Sequence, residues 1–311
     1  MRVLRIFCLA GFLLSLLGTT GARAQQGSSR AGPSPGSPAG LPLPDVRQLM
    51  LEVQAHQKQL DKVRENYTYT SLQTTQDLDG NGQVKKTEST ENEDFFVNSH
   101  VIERTVKKDG RPLDAHEEEK ETGRVAKLVE KAERTPPGQP LEGQSISIGR
   151  VLEIMDVGNP RRESFRGRPT IVFNFVGRKD VKTHGLAEDA SKKLKGTLWI
   201  DEADRQVAHM EVSFDDNFKV AGGLFATIEK GSNFRFDQEP VSHPNDEDLS
   251  LGTPVNGELW LPTGAEANIV GRLLMVKGIR QHFTEHDYDF KRFHVEAEPG
   301  KNAKAIVEAK P

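Results

Sequence analysis

The segment 77–88 reads DLDGNGQVKKTE and has the ligand spacing of a calcium-binding loop. Asp77, Asp79 and Asn81 occupy positions 1, 3 and 5, and Glu88 occupies position 12. An EF-hand needs a helix on each side of this loop, whereas the flanking residues here alternate as strands do. Asp-Gly and Asn-Gly are also the preferred residues of a hairpin turn. The alternatives are therefore a weak calcium-loop candidate and a metal-free hairpin.

The segment 282–286 reads HFTEH and matches the H-x-x-E-H pattern of a metallopeptidase family. On a helix, His282 and His286 would share a face and bind one zinc ion together. On a strand they lie about 13 Å apart, too far for both to reach one ion. The nearby Tyr288 and Phe290 favour the strand. A zinc-dependent hydrolase is thus a remote alternative, and we expect a non-enzymatic protein with no catalytic residue, bound metal or cofactor.

The amino-terminal residues have the composition of a secretory signal peptide. Arg2 and Arg5 precede an apolar run over 6–17, and small residues lead to the A-R-A stretch at 22–24. The run is shorter than the roughly 20 residues that cross a bilayer. We expect cleavage after Ala24, which gives a periplasmic or secreted protein that is not transmembrane.

Cleavage of this signal peptide (1–24) changes the chemistry of the chain. It removes Cys8, the only cysteine, so the mature chain forms no disulfide and binds no metal through sulfur. It also removes three arginines, which takes the formal charge from −4 to −7. Nucleic acid is therefore not an expected partner, because phosphate binding needs a basic surface.

The rest of the chain predicts a β-rich domain after a flexible Gly/Ser/Pro linker over 25–44. Helical periodicity predicts an amphipathic helix over 45–66, with Asp45 as its N-cap. Two further helices are predicted, an exposed one over 113–134 that breaks near Gly123 and a short buried one over 147–157. Alternating residue types and frequent turns predict about ten strands, which cover 67–78, 83–97, 100–107, 168–177, 196–201, 206–214, 227–236, 258–262, 267–276 and 279–295.

Four phrases in this order resemble the LolA/LolB-like superfamily of bacterial envelope proteins: FRGRPTIVFNFVGR, LKGTLWIDEADRQVAHMEVSF, GGLFATIEKGSNFRF and NGELWLP. The chain is most similar to its uncharacterised exported members of the outer-membrane lipoprotein-sorting type. The resemblance implies an α+β fold, an antiparallel half-barrel sheet of about ten strands with helices covering the concave face. This single domain would span 45–297, and a disordered tail would follow over 298–311.

The resemblance also implies a binding function in the bacterial envelope. A half-barrel cavity can shelter acyl chains from water, at about 0.8 kcal/mol per buried CH₂ group. A lipid, a lipoprotein or another apolar ligand is the expected partner, and the protein partner is unknown. The alternatives are an ordinary apolar core and an envelope sensor or partner-binding domain on the same scaffold. The candidate lining residues are Phe173, Phe175, Leu198, Ile200, Met210, Val212 and Trp260.

Overall fold

The computed structural model describes residues 42–64, 67–98, 100–136, 141, 153–241 and 259–292. Within these ranges, thirteen strands form one sheet in which every pairing is antiparallel. The strands are β1 (Tyr67–Leu78), β2 (Val84–Val97), β3 (His100–Lys108), β4 (Arg111–Pro112), β5 (Met155–Phe165), β6 (Arg168–Gly177), β7 (Leu194–Asp201), β8 (Val207–Phe214), β9 (Phe218–Val220), β10 (Ala226–Ile228), β11 (Asn233–Val241), β12 (Leu259–Leu273) and β13 (Lys277–Arg292). The helices are α1 (Val46–Arg64), α2 (Ala115–Arg134) and α3 (Gly185–Ser191), and a 3₁₀ turn covers Ala221–Gly223.

Across the described residues, the sheet is open, with β4 at one edge and β5 at the other. Its order is β4-β3-β2-β1-β13-β12-β11-β8-β7-β6-β5, with β9 and β10 as a small extension beside β12. The first long strand pairs with the last, because β1 and β13 are in register from Tyr67↔Arg292 to Asp77↔Gln281. The observed open antiparallel sheet with few helices confirms the predicted α+β fold class.

Several predicted elements have different bounds in the structure. Residues 155–157, predicted as helical, begin strand β5, which lies at the sheet edge and pairs with β6 through an irregularity between Gly158 and Arg161. An edge position tolerates Pro160, whose nitrogen has no hydrogen to donate. The predicted strands 258–262 and 267–276 are joined in β12, and 227–236 divides into β10 and β11 around Gly231.

The helix ends follow ordinary capping chemistry. The Gln48 N–H donates to Asp45 Oδ1 at 2.8 Å, so Asp45 caps α1 as predicted. A capping box of Asp114 and Glu117 begins α2. The Arg111 guanidinium and the Asp114 N–H lower the pKa of Glu117 to about 2. Helix α2 continues through Gly123, so the predicted break there is wrong.

The signal peptide at 1–24, most of the 25–44 linker, the predicted helix at 147–152 and the tail at 298–311 lie outside the described residues. Among the residues that are described, no helix is both long and apolar enough to cross a membrane.

Candidate functional site

Six of the seven predicted lining residues lie together on one face of strands β6, β7 and β8. The strand register places Phe173 beside Leu198 and Leu198 beside Met210. These six residues belong to, or pack against, one large apolar cluster that also draws side chains from β11 and β12. We call this surface the apolar face; its predicted members are Phe173, Phe175, Leu198, Ile200, Met210 and Val212.

Helix α1 covers the apolar face. Leu49, Met50 and Val53 are buried in the same cluster as Phe173, and Val53 is 0% exposed. Leu51 points away from the cluster and is 55% exposed. The helix therefore has the amphipathic pattern predicted for it, with its apolar side on the sheet.

Polar contacts hold the same helix to the turn between β7 and β8. Arg205 Nε donates to Glu52 Oε2 at 2.8 Å, and His56 Nδ1 lies 3.0 Å from the Asp204 carbonyl oxygen. The hydrogen bond from Arg205 is the main reason why the pKa of Glu52 is lowered. Both contacts are only partly buried, so water can replace them at small cost.

Trp260, the seventh predicted residue, lies in a second apolar cluster with Tyr67, Ala208 and Leu261. Its indole N–H donates to Asp204 Oδ2 at 2.8 Å, and the Arg168 guanidinium lies 5.3 Å from the centre of its ring. Trp260 thus takes part in a buried polar network that sequence reasoning missed. The only sequence signal for that network was the pair of aspartates in the WIDEADRQ segment.

An acidic region lies where β1, β2 and β13 meet. Ser71, Asn92, Asp94 and Asp287 are all buried there, and Asn92 Nδ2 donates to Ser71 Oγ at 3.2 Å. Neither carboxylate oxygen of Asp94 has a hydrogen-bond partner among the described residues. The pKa of Asp94 is raised well above its ordinary value, mainly by burial and secondly by the nearby Glu103 carboxylate. Ser71 has a smaller effect that lowers the pKa.

The raised pKa of Asp94 makes the folded state less stable as the pH increases. The folded protein holds the proton more tightly than the unfolded chain, so this stability is complete below the ordinary aspartate pKa and is lost as the pH rises through the folded value. We expect Asp94→Asn to be more stable than the wild type at neutral pH, by about 1–3 kcal/mol. Urea denaturation at several pH values measures this difference. An advantage that does not shrink as the pH falls would contradict the assignment.

The predicted calcium-loop candidate forms the hairpin between β1 and β2. Asp79 Oδ1 accepts the N–H groups of Asn81 and Gln83 at 2.8 and 2.9 Å, and Asp77 Oδ1 accepts from Gln281 at 2.7 Å. Glu88 lies further along β2, where its Oε1 forms an ion pair with Lys86 Nζ at 2.7 Å. Strands flank the loop, and its carboxylates are held by these separate contacts.

The HFTEH segment lies within β13, which confirms the strand interpretation and removes the helical zinc motif. His282 Nε2 is 2.9 Å from Glu266 Oε1, and its Nδ1 is 3.3 Å from Gln76 Oε1. The His286 ring instead packs near Tyr288, with 5.3 Å between the ring centres. Among the described residues, no group of three or more His, Cys, Asp or Glu side chains is arranged to hold a metal ion.

A histidine–aspartate pair also lies on β8 and β11. His209 Nδ1 is 2.8 Å from Asp237 Oδ1, and its Nε2 is 3.4 Å from Glu211 Oε1. Phe165 stacks on the imidazole with 4.9 Å between centres. Because both ring nitrogens face carboxylates, the geometry favours a structural pair over a general base directed at a substrate.

Comparison with solved structures finds matches that cover most of the chain but have low sequence identities and low TM-scores. A domain assigned to outer membrane lipoprotein sorting, from Vibrio parahaemolyticus, is 11% identical, with 83% of this chain and 95% of that chain covered and a TM-score of 0.35. A DUF1329 family protein from Desulfovibrio piger is 7% identical, with 83% and 95% covered and a TM-score of 0.33. A LolA superfamily protein from Nitrosomonas europaea is 13% identical, with 77% and 93% covered and a TM-score of 0.28.

No protein-family model and no curated protein matches the chain. The fold itself is established by the open antiparallel sheet.

Proposed function

We propose that this chain is a non-enzymatic protein of the bacterial periplasm that binds a lipid, a lipoprotein or another apolar ligand on the apolar face, beneath helix α1. The main support for this proposal is that helix α1 covers the apolar face. Its side chains Leu49, Met50 and Val53 are buried against that face. The export signal predicted at 1–24 supports the location.

The contacts of α1 fit a cover that can be displaced. Among the described side chains of α1, Leu49, Met50 and Val53 are the buried apolar ones, and each contributes about 1.5–3 kcal/mol when fully removed from water. The polar contacts of Glu52 with Arg205 and of His56 with the Asp204 carbonyl oxygen are partly buried, so water can replace them. An acyl chain in place of Leu49, Met50 and Val53 would restore the apolar contacts that the sheet loses when the helix moves.

The proposal assigns the six lining residues a role in ligand contact rather than in core packing alone. If they were only core, loosening α1 would lower stability without creating a binding site. If they line a site, loosening α1 would expose it, because apparent affinity rises with the population of the competent state. These two outcomes separate the alternatives.

Val53→Ser is expected to strengthen the binding of a fluorescent long-chain fatty acid. The substitution weakens the covered state, and about 1.4 kcal/mol of such weakening lowers the apparent Kd by up to tenfold. The mature chain should be stripped of lipid before titration, and native mass spectrometry should give one bound probe per chain.

Two control variants separate opening of the site from general loosening of the fold. Leu51→Ser makes a similar change on the exposed side of α1 and should leave the Kd unchanged. Ile102→Val, in the buried interior of β3, costs about 0.5–1.5 kcal/mol at a residue outside the apolar cluster that contains Leu49 and Val53. Tighter binding by Ile102→Val as well, or no binding by any variant, would refute the proposal. Recovery of the lipid-free wild type with a bound protein would instead support the partner-binding alternative.

A further inference from the structure

Two adjacent loops expose large apolar side chains to solvent. Leu224 and Phe225 precede β10, and 274–276 connect β12 to β13. Their exposed fractions range from 54% to 85%. We call this surface the apolar tip; its members are Leu224, Phe225, Leu274, Met275 and Val276.

The two loops form one continuous surface. The Leu274 N–H donates to the Phe225 carbonyl oxygen at 2.9 Å, and the register places Ala226 beside Leu273. The five side chains therefore project from neighbouring strand ends. An exposed apolar patch of this kind marks an interaction surface more often than a scattered single residue does.

The backbone of the tip is strained as well as exposed. Leu274 and Met275 have φ values of 47° and 63°, and the Val276 N–H donates to the Leu273 carbonyl oxygen at 3.2 Å. This is the pattern of a hairpin turn in which Asn-Gly is strongly preferred. Large side chains at positive φ cost stability, and such strain is concentrated at functional sites. The same two residues thus carry both the strain and the exposure.

Cationic residues outnumber acidic ones around the tip, although Glu229 directly follows the segment 218–228. The segments 218–228 and 269–280 contain Lys219, Arg272, Lys277 and Arg280 and no acidic residue, in a chain whose formal charge is −4. All four cationic residues are exposed, and Arg272 also forms an ion pair of 3.3 Å with Glu229. An apolar centre with a cationic border matches the interface of an anionic bilayer, where apolar side chains enter the acyl boundary and cations face the headgroups.

We propose that the apolar tip docks the protein on an anionic phospholipid membrane. Met275 and Val276 enter the headgroup region, while Lys277 and Arg280 face lipid phosphates. This docking is separate from ligand binding beneath α1, since it uses different residues and does not require the apolar face to open.

Vesicle co-sedimentation tests the docking, with vesicles of phosphatidylglycerol and phosphatidylethanolamine compared with vesicles of phosphatidylcholine. The wild type should bind the anionic vesicles and be released as the salt concentration rises. Met275→Ser/Val276→Ser should weaken binding by about tenfold or more. Val84→Ser, at the exposed start of β2, is the matched control and should bind as the wild type does.

A second variant excludes unfolding as the cause of any loss. Leu274→Asn/Met275→Gly gives the turn its preferred residues and should raise the Tm by about 2–5 °C while also weakening vesicle binding. Lys277→Glu/Arg280→Glu should reduce binding at low salt, whereas Lys120→Glu on the exposed side of α2 should not.

Three results would overturn the proposal. The first is equal binding of wild type and both tip variants to anionic vesicles, and the second is no binding of the wild type at low salt. The third is a wild-type dimer that the tip substitutions dissociate, which would make the apolar tip a contact between copies of the chain. Because fatty-acid binding is measured without vesicles, failure here leaves the test of the apolar face intact.

Discussion

Replacing Arg168 with alanine is expected to lower the free energy of unfolding by about 3 kcal/mol, because two buried carboxylates would lose their shared cation. Arg168 Nε donates to Asp201 Oδ2 and its Nη2 donates to Asp204 Oδ2, both at 2.6 Å. Both aspartate side chains are 1% exposed. Arg168 itself is partly exposed, so water can enter the space that its side chain leaves. We therefore expect a loss of stability at the low end of the range measured when one partner of a buried ion pair is removed.

The network connects distant parts of the sheet, so its loss would destabilise each of the elements that it joins. Asp204 also accepts the Trp260 indole N–H at 2.8 Å, and Asp201 Oδ1 accepts the Asp204 N–H at 2.8 Å. The start of β6, the turn after β7 and the start of β12 are therefore fixed to one another. Helix α1 reaches the same turn through the Asp204 carbonyl oxygen and Arg205, so the network also positions the cover of the apolar face.

Urea denaturation followed by tryptophan fluorescence measures the loss. Arg178→Ala is the matched control, because Arg178 pairs at 2.9 Å with an exposed Asp180 and should cost less than about 1 kcal/mol. Arg168→Met keeps an aliphatic contact with Trp260 and tests the charge alone. Combining it with Asp204→Asn, which removes one buried charge, should recover part of the loss. Equal costs for Arg168→Ala and Arg178→Ala would show that solvent already screens the carboxylates.

Strands that alternate in residue type could be predicted from the sequence almost to the residue. β1 has the predicted bounds, and β6 and β8 match within one residue, since one face of each packs on apolar neighbours while period-two alternation is preserved. β5 was missed because its sequence, MDVGNPRRESF, has no alternation and contains Pro160. Its strand conformation is set by pairing with β6 at the sheet edge. Local pattern is insufficient there, because tertiary pairing overrides propensity.

The candidate site was predictable only in part for the same reason. Alternation along β6 to β8 identified which side chains share a face, and the register confirms that Phe173, Leu198 and Met210 are neighbours. Trp260 looked equivalent, but its hydrogen bond to Asp204 joins residues 56 positions apart and leaves no local signal. The strained turn at Leu274 and Met275 was predicted as strand. Turns with positive φ usually contain Gly or Asn, and neither residue type is present at these two positions.

The second large effect is expected at Gly196, which begins the GTLWID segment of β7. Gly196 lies on β7 between Phe175 of β6 and Val212 of β8. A Cβ atom at this position would lie 2.5 Å from Phe175 Cζ and even closer to the main-chain oxygen of Glu211. The Phe175 ring therefore rests on a glycine because no larger residue leaves it room.

Gly196→Ala is expected to destabilise the protein by about 3 kcal/mol, at the upper end of the usual range for overpacking. A flexible side chain could move aside at small cost, but the Glu211 carbonyl belongs to the paired strand and cannot move without breaking the ladder. Adding Phe175→Leu should therefore recover only part of the loss. Full recovery in the double variant would show that the aromatic ring, rather than the backbone, sets the requirement for glycine.

Gly123→Ala provides the matched control, since it makes the same change where nothing lies within 4 Å of the added Cβ. Gly123 is in the middle of α2, so alanine should stabilise the protein by about 0.5–1 kcal/mol through higher helix propensity. The two variants should thus shift the urea midpoint in opposite directions. Since Phe175 is a proposed ligand contact, Gly196→Ala should also weaken fatty-acid binding, whereas Gly123→Ala should leave it unchanged. Normal binding by a folded Gly196→Ala variant would place the ligand away from Phe175.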